Sequence, residues 1–466
     1  MIQENKPVEA SFRDNSGFVF KKNNIFYRQI NHSYAHTYDK LLSSGLYEAL
    51  IAKEWLIQHE ELTVLDDENE PLPYYKIIQP EQLDFISYPS GWTFGMLKDA
   101  ALLTLKIQKM ALKYGMTLKD ASAYNIQFRG SRSIFIDSLS FDTYTEGGIW
   151  EAYSQFCRHF LAPLALMAYQ DVSLNRLLVV HLDGIPLDLA SKLLPYRTRF
   201  NLNLYLHIHL QARLQGKYQK QQNANNSTGK QLSSSKLLQL IDSLESAIKK
   251  LEWKQRGTEW HDYYEKSVGE AYFNHKIKAV EILLEDCQAQ RVLDLGANDG
   301  TFSQIAAQKA DKVLSFDIDT AAVEAHYQRL KKEKNLNVTP YIIDVSNPEP
   351  AIGWSNTERP ALWQRIDVDT IMALALIHHI RISNNTPLSM IADFFSQHCQ
   401  NLIIEFVPKS DEKVKILLQN RQDIFDDYTL DNFKSIFSKH FIIEKAILLE
   451  PTERVLLLMK KHKSLE

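Results

Sequence analysis

A chain of 466 residues, 45% of them hydrophobic, is longer than a single compact core supports and has the material for two domains. Its formal charge of -4 leaves no overall basic surface, which argues against a dedicated nucleic-acid binder. Three cysteines, Cys157, Cys287 and Cys399, stand far apart and without metal-ligand spacing, so disulfides and a zinc site are not expected and the chain reads as cytoplasmic.

The N-terminal stretch MIQENKPVEASFRDNSG has no apolar signal core. Gly17 to Phe20 and Ile25 to Ile30 read as hairpin strands joined at Asn23-Asn24. Helical patterning follows from Tyr34 to Ile57, then an acidic turn at Asp66 to Glu70. Strand-like segments come next at Tyr74 to Ile78 and Phe85 to Tyr88, ahead of Pro89-Ser90-Gly91. Trp92 to Tyr114 predicts a helix, because Leu97, Ala101, Leu105, Gln108 and Leu112 fall on one stripe.

The next stretch, LKDASAYNIQFRGSRSIFIDSLSF, sets Asp120 and Asn125 in D-x-x-x-x-N spacing, follows them with a hairpin from Ile126 to Ile136, and ends on Asp137. Phosphoryl transfer needs a carboxylate beside the attacking hydroxyl, and an amide and a second carboxylate to hold the metal. In order and spacing the stretch resembles the catalytic loop and metal-binding acid of the protein-kinase and aminoglycoside-kinase superfamily, with Asn125 and Asp137 as the implied metal ligands. It departs from that pattern in having no glycine-rich phosphate loop, no Phe-Gly after Asp137 and no clear strand lysine, Arg28 and Lys76 being the nearest cations. Three readings stay open: an ordinary α+β domain with a turn Asp, a capping Asn and a strand-end Asp; a kinase-like fold without phosphotransfer; or a phosphotransferase.

Residues 149 to 213 are expected to be helical, with His159, His207 and His209 as satisfied imidazoles rather than metal ligands. The longest apolar block, Phe160 to Tyr169, carries Pro163 and has about half the ~20 residues a membrane span needs, so it predicts a buried helix and no membrane insertion. From Gly216 to Ser235 the composition falls to Gln, Asn, Ser, Lys and Gly, a linker expected to be disordered. Leu237, Ile241, Leu244, Ile248 and Leu251 mark an amphipathic helix. Trp260, Tyr263, Tyr264 and Tyr272 then cluster before a helical pattern at His275 to Leu284. They would either close over a ligand or fasten a leading arm.

Arg291 to Phe302, RVLDLGANDGTF, organises the remainder: a buried-type strand, a turn bracketed by Gly296 and Gly300, and a helix whose first amides are expected to face a ligand. A second strand, Lys312 to Phe316, ends in Asp317, and a third, Val338 to Ile343, ends at Asp344. An acid at the tip of the second strand can accept hydrogen bonds from both ribose hydroxyls. The glycine spacing is G-x-x-x-G after Asp294, whereas a dinucleotide turn wants G-x-G-x-x-G. Further strands at Asp369 to Leu376, Asn401 to Val407, Phe441 to Leu449 and Arg454 to Lys460, with helices at Pro387 to Phe395 and Thr429 to Phe437, bring the strand count to seven.

On these residues, 280 to 460 resemble a class I S-adenosylmethionine-dependent methyltransferase, whose sheet has seven strands with the last inserted antiparallel. The resemblance implies S-adenosyl-L-methionine as cofactor. It assigns Asp294 to the methionine amino group, the backbone at Gly296 and Ala297 to the cofactor's surface, Asp317 to the ribose and Asp344 to the adenine. Asn298 stands where a glycine is frequent. His378 and His379, after the fourth strand, and Glu405, ending the fifth, are the candidate catalytic or acceptor-orienting groups. The connection from Pro408 to Tyr428, with Lys409, Arg421 and Asp426, is either a substrate lid or a solvated helix and loop.

The expectation is therefore an α+β domain over residues 1–213, kinase-like in pattern, then a polar linker and amphipathic helix over 214–252. An α/β, Rossmann-like seven-stranded methyltransferase domain follows over 253–466. Its acceptor is expected to be a small molecule or a carbohydrate, with no nucleic-acid partner. The rival functions are a phosphotransferase and a non-catalytic interaction protein.

Overall fold

Apolar alternation through Gly17–Lys22 (β1) and Ile25–Ile30 (β2) folds the chain back on itself at Asn23 and Asn24, both at positive φ. The structure, a computed structural model, describes residues 6–62, 73–214, 233–254, 269–419 and 421–463. It divides into two compact units: Met1–Arg129, Ser133–Lys254 and Pro350–Ala361 form the first, and Gly130–Arg132, Gln255–Glu349 and Leu362–Glu466 the second.

In the first unit β1 and β2 join His59–Glu61 (β3) and Lys76–Pro80 (β4) in an antiparallel sheet of order β1-β2-β4-β3. The helix expected from Tyr34 to Ile57 is two helices, Ala35–Ser43 (α1) and Leu46–Ile51 (α2), because Gly45 takes φ +80° between them. Phe85 to Tyr88 is not a strand. At Ser87 a side chain takes the place of a strand partner: Ser87 N donates to Gln127 Oε1 at 2.8 Å and Gln127 Nε2 donates to Ser87 O at 3.0 Å. Phe94–Lys113 (α3) starts at Thr93, whose hydroxyl accepts from Met96 N. The hairpin after Asn125 is present as Ile126–Arg129 (β5) and Arg132–Phe135 (β6).

Residues 149 to 213 are broken helix. Short α segments alternate with 3-10 turns and with π turns at Cys157–Leu161 and Tyr205–Leu210. His207 bonds Tyr153 and Ser243, and His209 bonds Ser191 and Thr198, as satisfied core imidazoles do. His159 is buried as well, but its Nδ1 has no hydrogen-bond partner among the described residues. Ser234–Lys250 (α4) belongs to this unit, its Asp242 and Glu245 both paired with Lys109 of α3. Most of the polar linker, the acidic turn at Asp66 to Glu70, and Trp260, Tyr263 and Tyr264 lie outside the described residues.

The second unit is a doubly wound α/β domain. Among the described residues its sheet has seven strands: Arg291–Leu295 (β7), Lys312–Asp317 (β8), Val338–Ile342 (β9), Thr370–Ala373 (β10), Asn401–Phe406 (β11), Phe441–Leu448 (β12) and Val455–Lys461 (β13). The order is β9-β8-β7-β10-β11-β13-β12, parallel except for β13, which runs antiparallel to both of its neighbours. Glu270–Asp286 (α5) seals one face, packing Tyr272, Val280 and Leu283 against Val292, Met372, Ile403 and Leu458. The order reverses between β7 and β10, which opens a crevice at the carboxyl ends of the parallel strands.

Candidate functional site

A cavity of about 280 Å³ occupies that crevice. One wall comes from the ends of β7, β8 and β9: Gly296, Asn298, Asp317, Ile318, Asp344 and Ser346. The other follows β10: Leu376, His379, Ile380, Ser383 and Asn384. His379–Ser383 forms a π turn, a wider coil than an α-helix of the same length.

Asp317 is the best-placed acid. Its Oδ2 accepts from Asn298 N at 2.7 Å and its Oδ1 from Asp319 N at 2.8 Å, which orients the carboxylate and leaves a lone pair on each oxygen. Burial pushes its carboxyl above the ordinary range, against those two backbone bonds. Asn298 holds φ +51°, a left-handed geometry that asparagine tolerates, so the loop keeps its path where the related pattern favours glycine. Gly296, at φ +83°, lies on the cavity wall, where an added Cβ would fall 3.2 Å from Leu376. Asp344 also lines the cavity and accepts from Ser346 N at 2.8 Å.

The other residues of the glycine turn build the loop. The amides of Gly296 and Ala297 both donate to Phe316 O, and Ala297 does not line the cavity. Gly300 takes φ +76°, and a Cβ there would fall 1.9 Å from His326. The following helix, Thr301–Ala306 (α6), does not present its first amide, because Thr301 N donates to Asp299 Oδ1. Asp294 is buried behind the wall, where its Oδ2 accepts from Ser303 Oγ at 2.6 Å. Burial raises its carboxyl to about 7.

The three candidate catalytic residues separate. His379 alone is on the cavity wall, and burial lowers its imidazole pKa, so the ring is neutral near pH 7. His378 is sealed behind it, with neither ring nitrogen hydrogen-bonded among the described residues, and burial holds it well below the usual value. Glu405 is fully buried in a charge cluster that the sequence pattern did not disclose. Its Oε2 lies 2.7 Å from Lys276 Nζ, its Oε1 accepts from Tyr272 Oη at 2.9 Å, and Arg454 Nη1 lies 3.4 Å away. Arg454 is held in turn by Asp411 at 2.8 Å. Burial alone would raise the Glu405 carboxyl; Lys276 and Arg454 outweigh it and keep the group ionised. Tyr272 thus ties α5 to the sheet, and does so away from the cavity.

The connection from Pro408 to Tyr428 is anchored against the π turn. Arg421 donates to Ile382 O, Arg381 pairs with Asp427 at 2.7 Å, and Tyr428 stacks on Phe406 while its hydroxyl donates to Val407 O. Lys409 pairs with Asp423 at 2.8 Å, on the exposed side. Ser383, Asn384, Ile318 and Ser346 are cavity residues that sequence reasoning missed. The polar run Ser-Asn-Asn after the two histidines was the available signal for the first two.

In the first unit Asp120, Asn125 and Asp137 do come together. Asp120 accepts from Ser122 N and Gln155 Nε2, both at 2.8 Å, and Asn125 Nδ2 donates to Ser140 Oγ at 3.1 Å. Asp137, however, is paired with Arg28 and also accepts from Leu139 N. Burial alone would raise that carboxyl; the guanidinium overrides it and holds the pKa below the ordinary range.

The sheet order gives the second unit an α/β fold of seven strands, the last inserted antiparallel, which is the arrangement that the methyltransferase resemblance implies. The chain as a whole belongs to the family of nodulation protein NoeA of Rhizobium meliloti (strain 1021), with which it is 32% identical over 460 residues, 96% of this chain and 95% of that relative. No protein-family model matches it. Among solved structures it is similar to the N-methyltransferase NodS from Bradyrhizobium japonicum WM9, at 9% identity, over 42% of this chain and 98% of that one, with a TM-score of 0.31. Magnesium protoporphyrin IX methyltransferase (ChlM) from Synechocystis PCC 6803, crystallised with bound SAM, aligns at 16% identity over 43% of this chain and 88% of that one, with a TM-score of 0.30.

Proposed function

We propose that the protein is an S-adenosylmethionine-dependent methyltransferase whose second unit holds the cofactor and methylates a hydroxyl or amine of a small molecule or carbohydrate. The observation that carries this is Asp317: an oriented, half-satisfied carboxylate on the wall of a cavity at the point where the strand order reverses. It would accept the two ribose hydroxyls, with Asp344 placed for the adenine amino group and Gly296 admitting the ligand against bare backbone. When bound, the cofactor supplies a methyl group on a positively charged sulfur, open to in-line displacement. His379, neutral and on the opposite wall, would take the acceptor's proton. In this reading the buried Lys276–Glu405–Arg454 cluster fixes the ends of β11 and β13 and touches no substrate.

Titration calorimetry with S-adenosylmethionine tests the reading. Micromolar binding is expected, and Asp317→Ala should weaken it roughly a hundredfold, since charged hydrogen bonds contribute about 1.5–3 kcal/mol each. Equal affinity in the variant would remove the carboxylate from the site and the proposal with it.

A further inference from the structure

From Leu189 to Ile241 the sequence contains eight lysines and arginines and no aspartate or glutamate, in a chain whose net charge is -4. The described part of this run, in the first unit, exposes large apolar side chains: Phe200 is 80% exposed, Leu202 69% and Tyr196 67%. Arginines stand beside them. Arg199 lies over the Tyr196 ring at 4.9 Å, Tyr196 meets Phe200 edge-on at 5.7 Å, and Arg197 lies over Tyr169 at 5.7 Å.

The base of this surface is firmly seated. Thr198 is buried and bonds His209 at 2.9 Å, and Leu204 and Ile208 are buried in the unit's core. Phe200 and Leu202 are therefore held outward by an anchored backbone, which water alone does not favour.

We infer that this face, which sets Tyr196, Phe200 and Leu202 among Arg197 and Arg199, docks the protein on an anionic lipid surface. The apolar side chains would enter the headgroup boundary while the guanidiniums pair with lipid phosphates. A nucleic acid would satisfy the same cations but leave Phe200 and Leu202 without an apolar environment. This docking is peripheral; among the described residues no helix is long and apolar enough to cross a membrane. It is independent of the methyltransferase reading.

Co-sedimentation of the full-length protein with phosphatidylcholine vesicles, with and without phosphatidylglycerol, tests it. Binding is expected only with phosphatidylglycerol present and should fall as salt rises. Phe200→Ser with Leu202→Ser, and separately Arg197→Glu with Arg199→Glu, should each weaken binding at least about tenfold. All four side chains are at the surface, so thermal unfolding should be unchanged. Equal binding to both vesicle types, no binding by the wild-type protein, or variants that bind like the wild type would each overturn the inference. So would tighter binding to duplex DNA that survives Phe200→Ser with Leu202→Ser.

Discussion

Two aspartates, one in each unit, stand at or just beyond a strand end where the sequence marks ligand chemistry, and they meet opposite fates. Asp317 takes two backbone donors, has no cation on it among the described residues, and faces a cavity. Asp137 is neutralised by Arg28 from the neighbouring sheet of its own unit. Charge bookkeeping decides between them: a buried carboxylate already paired with a guanidinium has little left to offer a metal, whereas one held only by amides can still take neutral hydroxyls. The spacing of Asp120, Asn125 and Asp137 resembles that of a phosphotransfer site, but Asp137 is paired with Arg28.

That contrast can be broken first at the cluster which holds the second unit's strand ends. Replacing Lys276 by Met leaves Glu405 buried beside Arg454 alone and should cost about 3–5 kcal/mol, the usual penalty for breaking a buried pair from one side. Denaturant unfolding of the full chain would read this as an earlier loss of the second unit's transition, with the first unit's unmoved. A change below about 1 kcal/mol would mean that the cluster is not structural.

His379→Ala sharpens the site itself. Turnover should drop about a hundredfold while cofactor affinity stays within a few-fold, because a base acts on the acceptor's proton. The pH profile of the wild-type enzyme supplies the sign. Burial lowers the His379 pKa, so the neutral, proton-accepting form persists below the ordinary imidazole value near 6.5, and activity should fall only as pH drops beneath it. A decline beginning above pH 7 would point to another group.

The smallest expected effect is on the other side of the comparison. Asp137→Ala should leave S-adenosylmethionine affinity unchanged and cost the first unit roughly 1–3 kcal/mol, through the unpaired Arg28. Magnesium-dependent ATP binding that is present in the wild type and lost in this variant would reverse the account of that unit.

Much of this could be read from the chain before any coordinates. The seven strands of the second unit follow from apolar runs, with Asp317 ending β8 and Asp344 just beyond β9, and the signal is clearest in β7 to β11, which are parallel and largely buried on both faces. The charge cluster was harder to see. Lys276 reads as an ordinary helix-surface lysine until it is noticed in the apolar stripe of Tyr272, Val280 and Leu283. Glu405 follows Ile403 on an inward-facing alternation. Charged groups this deep are found by pairing across the fold, and pairing is non-local. The first unit was less legible for local reasons: Gly45 splits a helix, Gln127 stands in for a missing strand partner at Ser87, and Arg28 reaches Asp137 from far along the sequence. The π turn that carries His379 depends on a hydrogen-bond offset that no residue pattern encodes.

The most direct test of the cofactor crevice is a crystal structure of the full-length protein with S-adenosylhomocysteine. The nucleoside is expected in the crevice between β7 and β10, its sugar on Asp317, its base beside Asp344 and its sulfur turned toward the wall that carries His379. Density for the ligand elsewhere, or its sugar bound with Asp317 uninvolved, would contradict the assignment.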